Sequence, residues 1–357
     1  MIAPVVHVAS GREWRGGQRQ VWLLTRELHG RGLEQVVITT AGSELARRLA
    51  GSGIQVIPAA WRAGLDPRVI PQILRQLHPR ALLHAHDAHA LTLTGLAGWL
   101  TGSPVVVTRR VIFPLRRRFL WKRACRIIAI STAVRDALIR DGMSPGRLVV
   151  IPSALDPQAA DSEGVDLRTR LGISGTGQLV VTLGALTPEK DHLTLIAAAA
   201  RLVRELPDLH WIIVGDGPLR QALKQQIQNS GVAERVHLLG AMDDPHRALA
   251  RADLFVLSSI SEGLGSSLLA AMSRGVPVVA TRVGGIPDIL GQGGGVMVKP
   301  GEPAELASAV RRVLGDAELR QQLTMRGHEE LSRFSPATVA EQVLSVYRSC
   351  AHSIDGS

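Results

Sequence analysis

Aromatic residues are scarce: Phe, Trp and Tyr make up 3% of the 357 residues. Leu, Ile, Val and Ala must therefore fill the cores. Few rings are left on which bases could stack, and no recognisable nucleic-acid motif is present, which argues against a nucleic-acid partner. Cysteine is limited to Cys125 and Cys350, without metal-ligand spacing. That points to a reducing cytoplasm rather than a disulfide scaffold. There is no run of about eighteen apolar residues, and the start of the chain has neither the basic stretch nor the cleavage site of a signal peptide. The expectation is a cytoplasmic protein, soluble or peripheral on the inner face of the plasma membrane. Lysine is also rare, found only as Lys122, Lys190, Lys224 and Lys299, although Lys and Arg together number 41.

What is present is enough apolar residue, 45% of the chain, for two domains of ordinary size. The net charge of +10 calls for an acidic partner or surface such as anionic lipid or a phosphorylated substrate. Short apolar runs alternate with helical stretches. VVHVAS, QVVITT, IQVIPA, PVVVTRR, RIIAIS and LVVIPSALD occupy the first half, and QLVVTLG, HWIIVG, VHLLG, DLFVL and VPVVAT the second. This is the βαβ rhythm of mostly parallel sheets. The polar stretch from Pro157 to Gly177 divides the chain into domains at 1–156 and 157–334. A final amphipathic helix, 335–350, is marked by the spacing of Val339, Val343, Leu344 and Tyr347.

The most informative stretch runs from Ser258 to Leu290. DLFVL reads as a buried strand, and Glu262, Gly263 and Gly265 fall in the turn that follows, where glycine permits close approach of a ligand. Ser266 and Ser267 start the next helix, whose free N–H groups would attract phosphate. A carboxylate beside that anion site is repelled by phosphate, so Glu262 is expected to meet neutral hydroxyls, as on a sugar. Taken alone, the turn also reads as an ordinary strand–turn–helix with a solvated Glu.

This stretch resembles the donor-site signature of the retaining family 4 glycosyltransferases of GT-B fold (glycosyl transferases group 1), which carries Glu, seven residues, then Glu. Here the first is Glu262, and Ala270 replaces the second. The resemblance implies two doubly wound Rossmann-like domains facing a cleft. It implies transfer of a sugar, with retained configuration, from a nucleoside-diphosphate sugar to an acceptor hydroxyl, with UDP-sugar the favoured donor and neither cofactor nor metal required. A lipopolysaccharide core or lipid-linked saccharide is the expected acceptor. Lys190 stands at the family's phosphate-binding lysine, while Ala185 replaces the family's arginine. Gly16 and Gly17 stand at the glycine pair that approaches the donor diphosphate, and Gly215 and Gly217 in a GDGP turn. Met242 falls in the loop after VHLLG, against which the family's nucleotide base lies. Charge developing on the diphosphate would fall to Lys190 and to the N–H groups of Gly16, Gly17, Ser266 and Ser267, with Arg110 as a helper. The alternatives are a nucleotide-sugar epimerase or phosphorylase of similar fold, or a non-catalytic nucleotide-binding homologue.

Three features stay open in the residues alone. ALLHAHDAHA places His84, His86 and His89 close together, either as metal ligands or, as the resemblance favours, with His86 in a polar cleft at a strand end. Arg110 stands where many family members carry a His, and reads either as a phosphate-neutralising guanidinium or as a surface residue. The segment Phe113 to Arg126 interleaves six cations with apolar residues. It reads either as a basic interfacial helix on an anionic membrane or as a helix packed on the sheet with its arginines in water.

Overall fold

The structure, a computed structural model, describes residues 4–61, 66–78, 81–161 and 163–355. The chain divides into two compact units. One takes residues up to Ala154 and from Arg333 onward, and the other Leu155–Ser332.

In the first unit β1 (Val5–Ala9), β2 (Gln35–Thr40), β3 (Gln55–Ala59), β4 (Leu82–Ala85), β5 (Val105–Arg109), β6 (Arg126–Ala129) and β7 (Leu148–Val150) form one sheet in the order β3-β2-β1-β4-β5-β6-β7. Every pairing is parallel. β1 and β4 are buried at every position, as expected of strands covered on both faces by helices. The helix Pro336–Asp355 closes this unit. Val339, Val343, Leu344 and Tyr347 enter the same core as Val21, Leu24 and Leu28 of the helix Gly16–Gly30.

The second unit holds β8 (Gln178–Leu183), β9 (Leu209–Val214), β10 (Val236–Gly240), β11 (Leu254–Leu257), β12 (Val278–Thr281) and β13 (Val296–Val298), in the order β10-β9-β8-β11-β12-β13 and again all parallel. Its core is aliphatic around Trp211. In each sheet the strand order reverses once, between β1 and β4 and between β8 and β11. Crossovers leave the two sides of such a point in opposite directions. The loops at the carboxyl ends there open a crevice, where open α/β sheets bind ligands.

Two expectations change. The cysteines are not a free pair: Cys125, just before β6, and Cys350, in the last helix, form a disulfide with Cα atoms 6.1 Å apart. Their separation of 225 residues hides this from any reading of spacing. The segment from Phe113 to Arg126 is not one long helix. Only Arg118–Arg123 is helical, and Arg117 before it takes a left-handed conformation at φ 56°. Leu120 and Trp121 pack inward, whereas Phe113 and Phe119 are exposed.

Candidate active site

The loops leaving β8 and β11 flank the reversal point of the second sheet, and they are stitched together. Pro188–Lys190 forms a single 3₁₀ turn, and Asp191 follows at φ 45°, its carboxylate capping the helix His192–Leu202 through the Thr194 N–H at 3.2 Å. The hydroxyl of Ser258 donates to the carbonyls of Lys190 and Asp191, both at 3.0 Å, and the Ile260 N–H donates to the Glu189 carbonyl at 2.9 Å. These bonds hold Lys190 beside Glu262, and the two side chains form an ion pair. Ser259 donates its hydroxyl to the same carboxylate oxygen at 2.8 Å. Glu262 is 9% exposed. A carboxylate that buried persists only when paired and hydrogen-bonded, and here it is both.

Two glycines let the loops come this close. Gly284 has φ 54°, and a Cβ there would lie 1.8 Å from the Glu262 carbonyl oxygen. Gly215 has φ 147°, and its Cβ would lie 1.9 Å from the Gly184 carbonyl oxygen. Gly217 packs likewise against the backbone of Leu186, so the GDGP turn supports the Lys190 loop. Gly263 and Gly265 lie in the turn before the helix Ser266–Ser273. Gly265 is its cap in the left-handed region and supplies no side-chain bond, so the first-turn N–H groups at Ser266 and Ser267 are left for another partner. Met242 is half-buried just after β10, at the edge of the sheet. Ala270 is inside the helix at 2% exposure.

In the first unit, Gly16 and Gly17 open a fifteen-residue helix whose N-cap, Arg15, makes no side-chain cap bond. A Cβ on Gly17 would lie 3.7 Å from Cδ of Arg110. The Arg110 guanidinium therefore sits beside the positive end of a helix. Burial lowers its pKa to about 10, with Asp87 partly opposing. Nη1 reaches the Ser153 hydroxyl at 3.5 Å, and Nε is buried without a partner among the described residues. Arg110 is thus not a plain surface arginine. The arrangement suits an anion.

The histidines group differently from their order in the sequence. His89 is exposed, and it is His7, His84 and His86 that bring ring nitrogens within 4.8 Å of one another. His7 was missed; its signal is its register opposite His84 across β1 and β4. His7 Nδ1 meets His86 Nε2 at 3.0 Å, while both His84 nitrogens are engaged, by the Tyr347 hydroxyl at 2.6 Å and the Thr108 hydroxyl at 2.8 Å. Burial lowers the pKa of all three, that of His7 to about 3 despite support from Gln35, and Arg110 adds to the lowering at His84 and His86. They are neutral at pH 7. A nearby guanidinium and the engaged nitrogens of His84 make this a poor place for a cation. His192 was also missed. It is 1% exposed two residues after Lys190, neither ring nitrogen has a partner among the described residues, and burial lowers its pKa to about 4.

Residues 166–330 match the model of "Glycosyl transferases group 1", and residues 14–159 that of "Glycosyltransferase Family 4". The lipopolysaccharide core biosynthesis glycosyltransferase LpsE of Rhizobium meliloti is 31% identical over 97% of this chain and 99% of its own. The 2-deoxystreptamine glucosyltransferase of Streptomyces kanamyceticus is 29% identical over 81% of this chain and 84% of its own. Among solved structures, Anabaena HepE in complex with UDP superposes with a TM-score of 0.83 at 23% identity, covering 97% of this chain and 100% of its own.

Proposed function

The chain belongs to the group 1, family 4 glycosyltransferases of GT-B fold, and from that premise we propose that it transfers a sugar from a UDP-sugar, with retained anomeric configuration, to a hydroxyl of a lipopolysaccharide core or lipid-linked saccharide. One observation carries the donor reading: Lys190, Glu262 and the open first turn of the helix Ser266–Ser273 come together where the second sheet reverses its strand order. That the similar HepE was solved with UDP and with UDP-glucose supports the choice of nucleotide. The name of LpsE supports the acceptor class. The relatives named above are glycosyltransferases, which does not favour an epimerase or phosphorylase.

In this reading the departing diphosphate gains negative charge as the glycosidic bond breaks, and preorganised donors stabilise it. Lys190 and the N–H groups of Ser266 and Ser267 form one donor set, with Gly263 and Gly265 giving close access. Arg110 and the helix start at Gly16 and Gly17 form a second anion site in the other unit. Glu262 holds Lys190 extended until phosphate shares it, then accepts hydrogen bonds from sugar hydroxyls. A covalent route with two flanking carboxylates is not invoked, because Ala270 offers none. No metal or cofactor enters this scheme.

The test is a thermal-shift panel of UDP, GDP and ADP, followed by assay of UDP-sugars on truncated lipopolysaccharide core, with the product anomer read by NMR. A UDP-dependent rise in melting temperature that grows with concentration, and an anomer matching the donor, are expected. An inverted product, or stabilisation by GDP or ADP alone, would overturn the corresponding part.

A further inference from the structure

Exposed apolar side chains gather at one place in the first unit. On the helix Ala88–Thr101, Leu96, Trp99 and Leu100 are 39%, 63% and 61% exposed, at the spacing that puts them on one helical face. Phe113 and Phe119, 54% and 61% exposed, belong to the neighbouring segment. The two pieces touch. A Cβ on Gly95 would lie 3.2 Å from Leu120, the Arg123 guanidinium stands 5.9 Å from the centre of the Trp99 ring, and Arg117 Nη1 reaches the Thr92 hydroxyl at 3.2 Å. Between them lies a cavity of about 250 Å³ with Leu91, Leu120 and Trp121 in its walls and Arg116 and Arg117 beside them.

Cations outnumber carboxylates around this face. Arg118 pairs with Asp141 at 2.9 Å, but Arg116, Arg117, Lys122 and Arg123 have no ion pair among the described residues. Two exposed leucines and a tryptophan beside a segment whose cations largely lack ion pairs do not suit a water-facing surface, and aliphatic side chains gain nothing by stacking on bases. Both properties fit an anionic bilayer, which takes the apolar groups below its headgroups and neutralises the cations with lipid phosphate. No helix among the described residues is long and apolar enough to cross a membrane.

We propose that the helix Ala88–Thr101 and the segment Phe113–Arg123 together form a docking surface for an anionic lipid bilayer, with Leu96, Trp99, Leu100, Phe113 and Phe119 entering the headgroup boundary and Arg116, Arg117, Lys122 and Arg123 meeting lipid phosphate. The surface is made by two adjoining segments rather than by one basic helix. It deepens the lipid-linked acceptor reading and rests on it only for its purpose, since docking is measured without donor or acceptor.

The experiment is co-sedimentation of the full chain with phosphatidylglycerol-containing vesicles and with pure phosphatidylcholine vesicles, at low and at physiological salt. Binding to the anionic vesicles alone, weakening with salt, is expected. The double variant Trp99→Ser, Leu100→Ser should bind roughly tenfold more weakly. The triple variant Arg116→Gln, Lys122→Gln, Arg123→Gln should bind roughly a hundredfold more weakly and lose most of its salt dependence. Both should keep the melting temperature and any UDP-induced shift of the parent, which separates this surface from the donor site. Absence of binding at low salt, equal binding to phosphatidylcholine, binding to RNA in place of vesicles, or vesicle binding untouched by both variants would each overturn the proposal.

Discussion

In the proposed reaction Lys190 is the cation that meets the departing diphosphate, and in the structure it also neutralises a carboxylate that is 9% exposed. Removing it should therefore be felt twice. Lys190→Ala is expected to lower turnover by roughly two orders of magnitude or more, the scale of one lost transition-state donor. It should also destabilise the fold by roughly 2 kcal/mol, because Glu262 is left with Ser259 as its one side-chain partner among the described residues. Adding Glu262→Gln to that variant should restore the melting temperature but not the turnover; recovery of both would remove Lys190 from the chemistry. Ala270 poses the opposite question. At 2% exposure, the glutamate that the family pattern carries there would be withdrawn from water. Ala270→Glu should lower the melting temperature of the free protein and tighten nucleoside diphosphate by about tenfold, as one charged hydrogen bond to the ribose would. Unchanged affinity on isothermal titration would put the ribose elsewhere. Both positions stand out in the sequence, Lys190 against a background of few lysines and Ala270 as a break in a pattern. Their surroundings do not, since the Lys190–Glu262 pair joins residues 72 apart in the chain.

Among the elements, loops and the last helix carry the constraints that strands leave free. Gly284 falls within the stretch Ser258 to Leu290 but has no role assigned from the sequence, and its backbone is pressed against that of Glu262. Gly284→Ala would place a methyl group 1.8 Å from a carbonyl oxygen at a positive φ, so the loop holding Glu262 must move. The expected result is a rise in donor KM and a fall in kcat of about tenfold or more, since small misplacements cost this much, with secondary structure by circular dichroism intact. Kinetics equal to the parent would show that this packing does not position Glu262. The helix Pro336–Asp355 is fastened by buried Val343, Leu344 and Tyr347 and by the Cys125–Cys350 disulfide. Cys350→Ser should lower stability by roughly 2 to 4 kcal/mol, and dithiothreitol should lower the melting temperature of the parent but not of the variant. A parent indifferent to reductant would mean that hydrophobic packing alone holds this helix. The amphipathic spacing of the helix is written in its own residues; its covalent tie to the edge of β6 is not.

For the molecule as a whole, acid should act through buried imidazoles. His7, His84, His86 and His192 have folded pKa values below the ordinary 6.5, His7 at about 3 and His192 at about 4, mainly because burial disfavours the charged ring. Unfolded, the same residues take protons near 6.5. Below that pH the unfolded state binds more protons, so the stability these groups contribute is complete above about pH 6.5 and declines as pH falls toward the folded values. Each contributes a slope of up to about 1.4 kcal/mol per pH unit in that window. Urea midpoints should fall between pH 7 and pH 5, and His7→Gln should flatten the fall; an unchanged slope would mean that His7 is not held neutral. Local pattern alone determined the alternation of buried strands and helices, the two-sheet α/β class and the order of Lys190, the GDGP turn and Glu262, because periodicity and turn chemistry are properties of adjacent residues. The tertiary structure decided the reversal points in the two strand orders, the Lys190–Glu262 pair, the His7–His84–His86 cluster, the disulfide and the exposure of Leu96, Trp99 and Leu100. Each depends on which distant segments lie side by side, and hydrophobic periodicity says that a strand or helix face must be covered without saying by what.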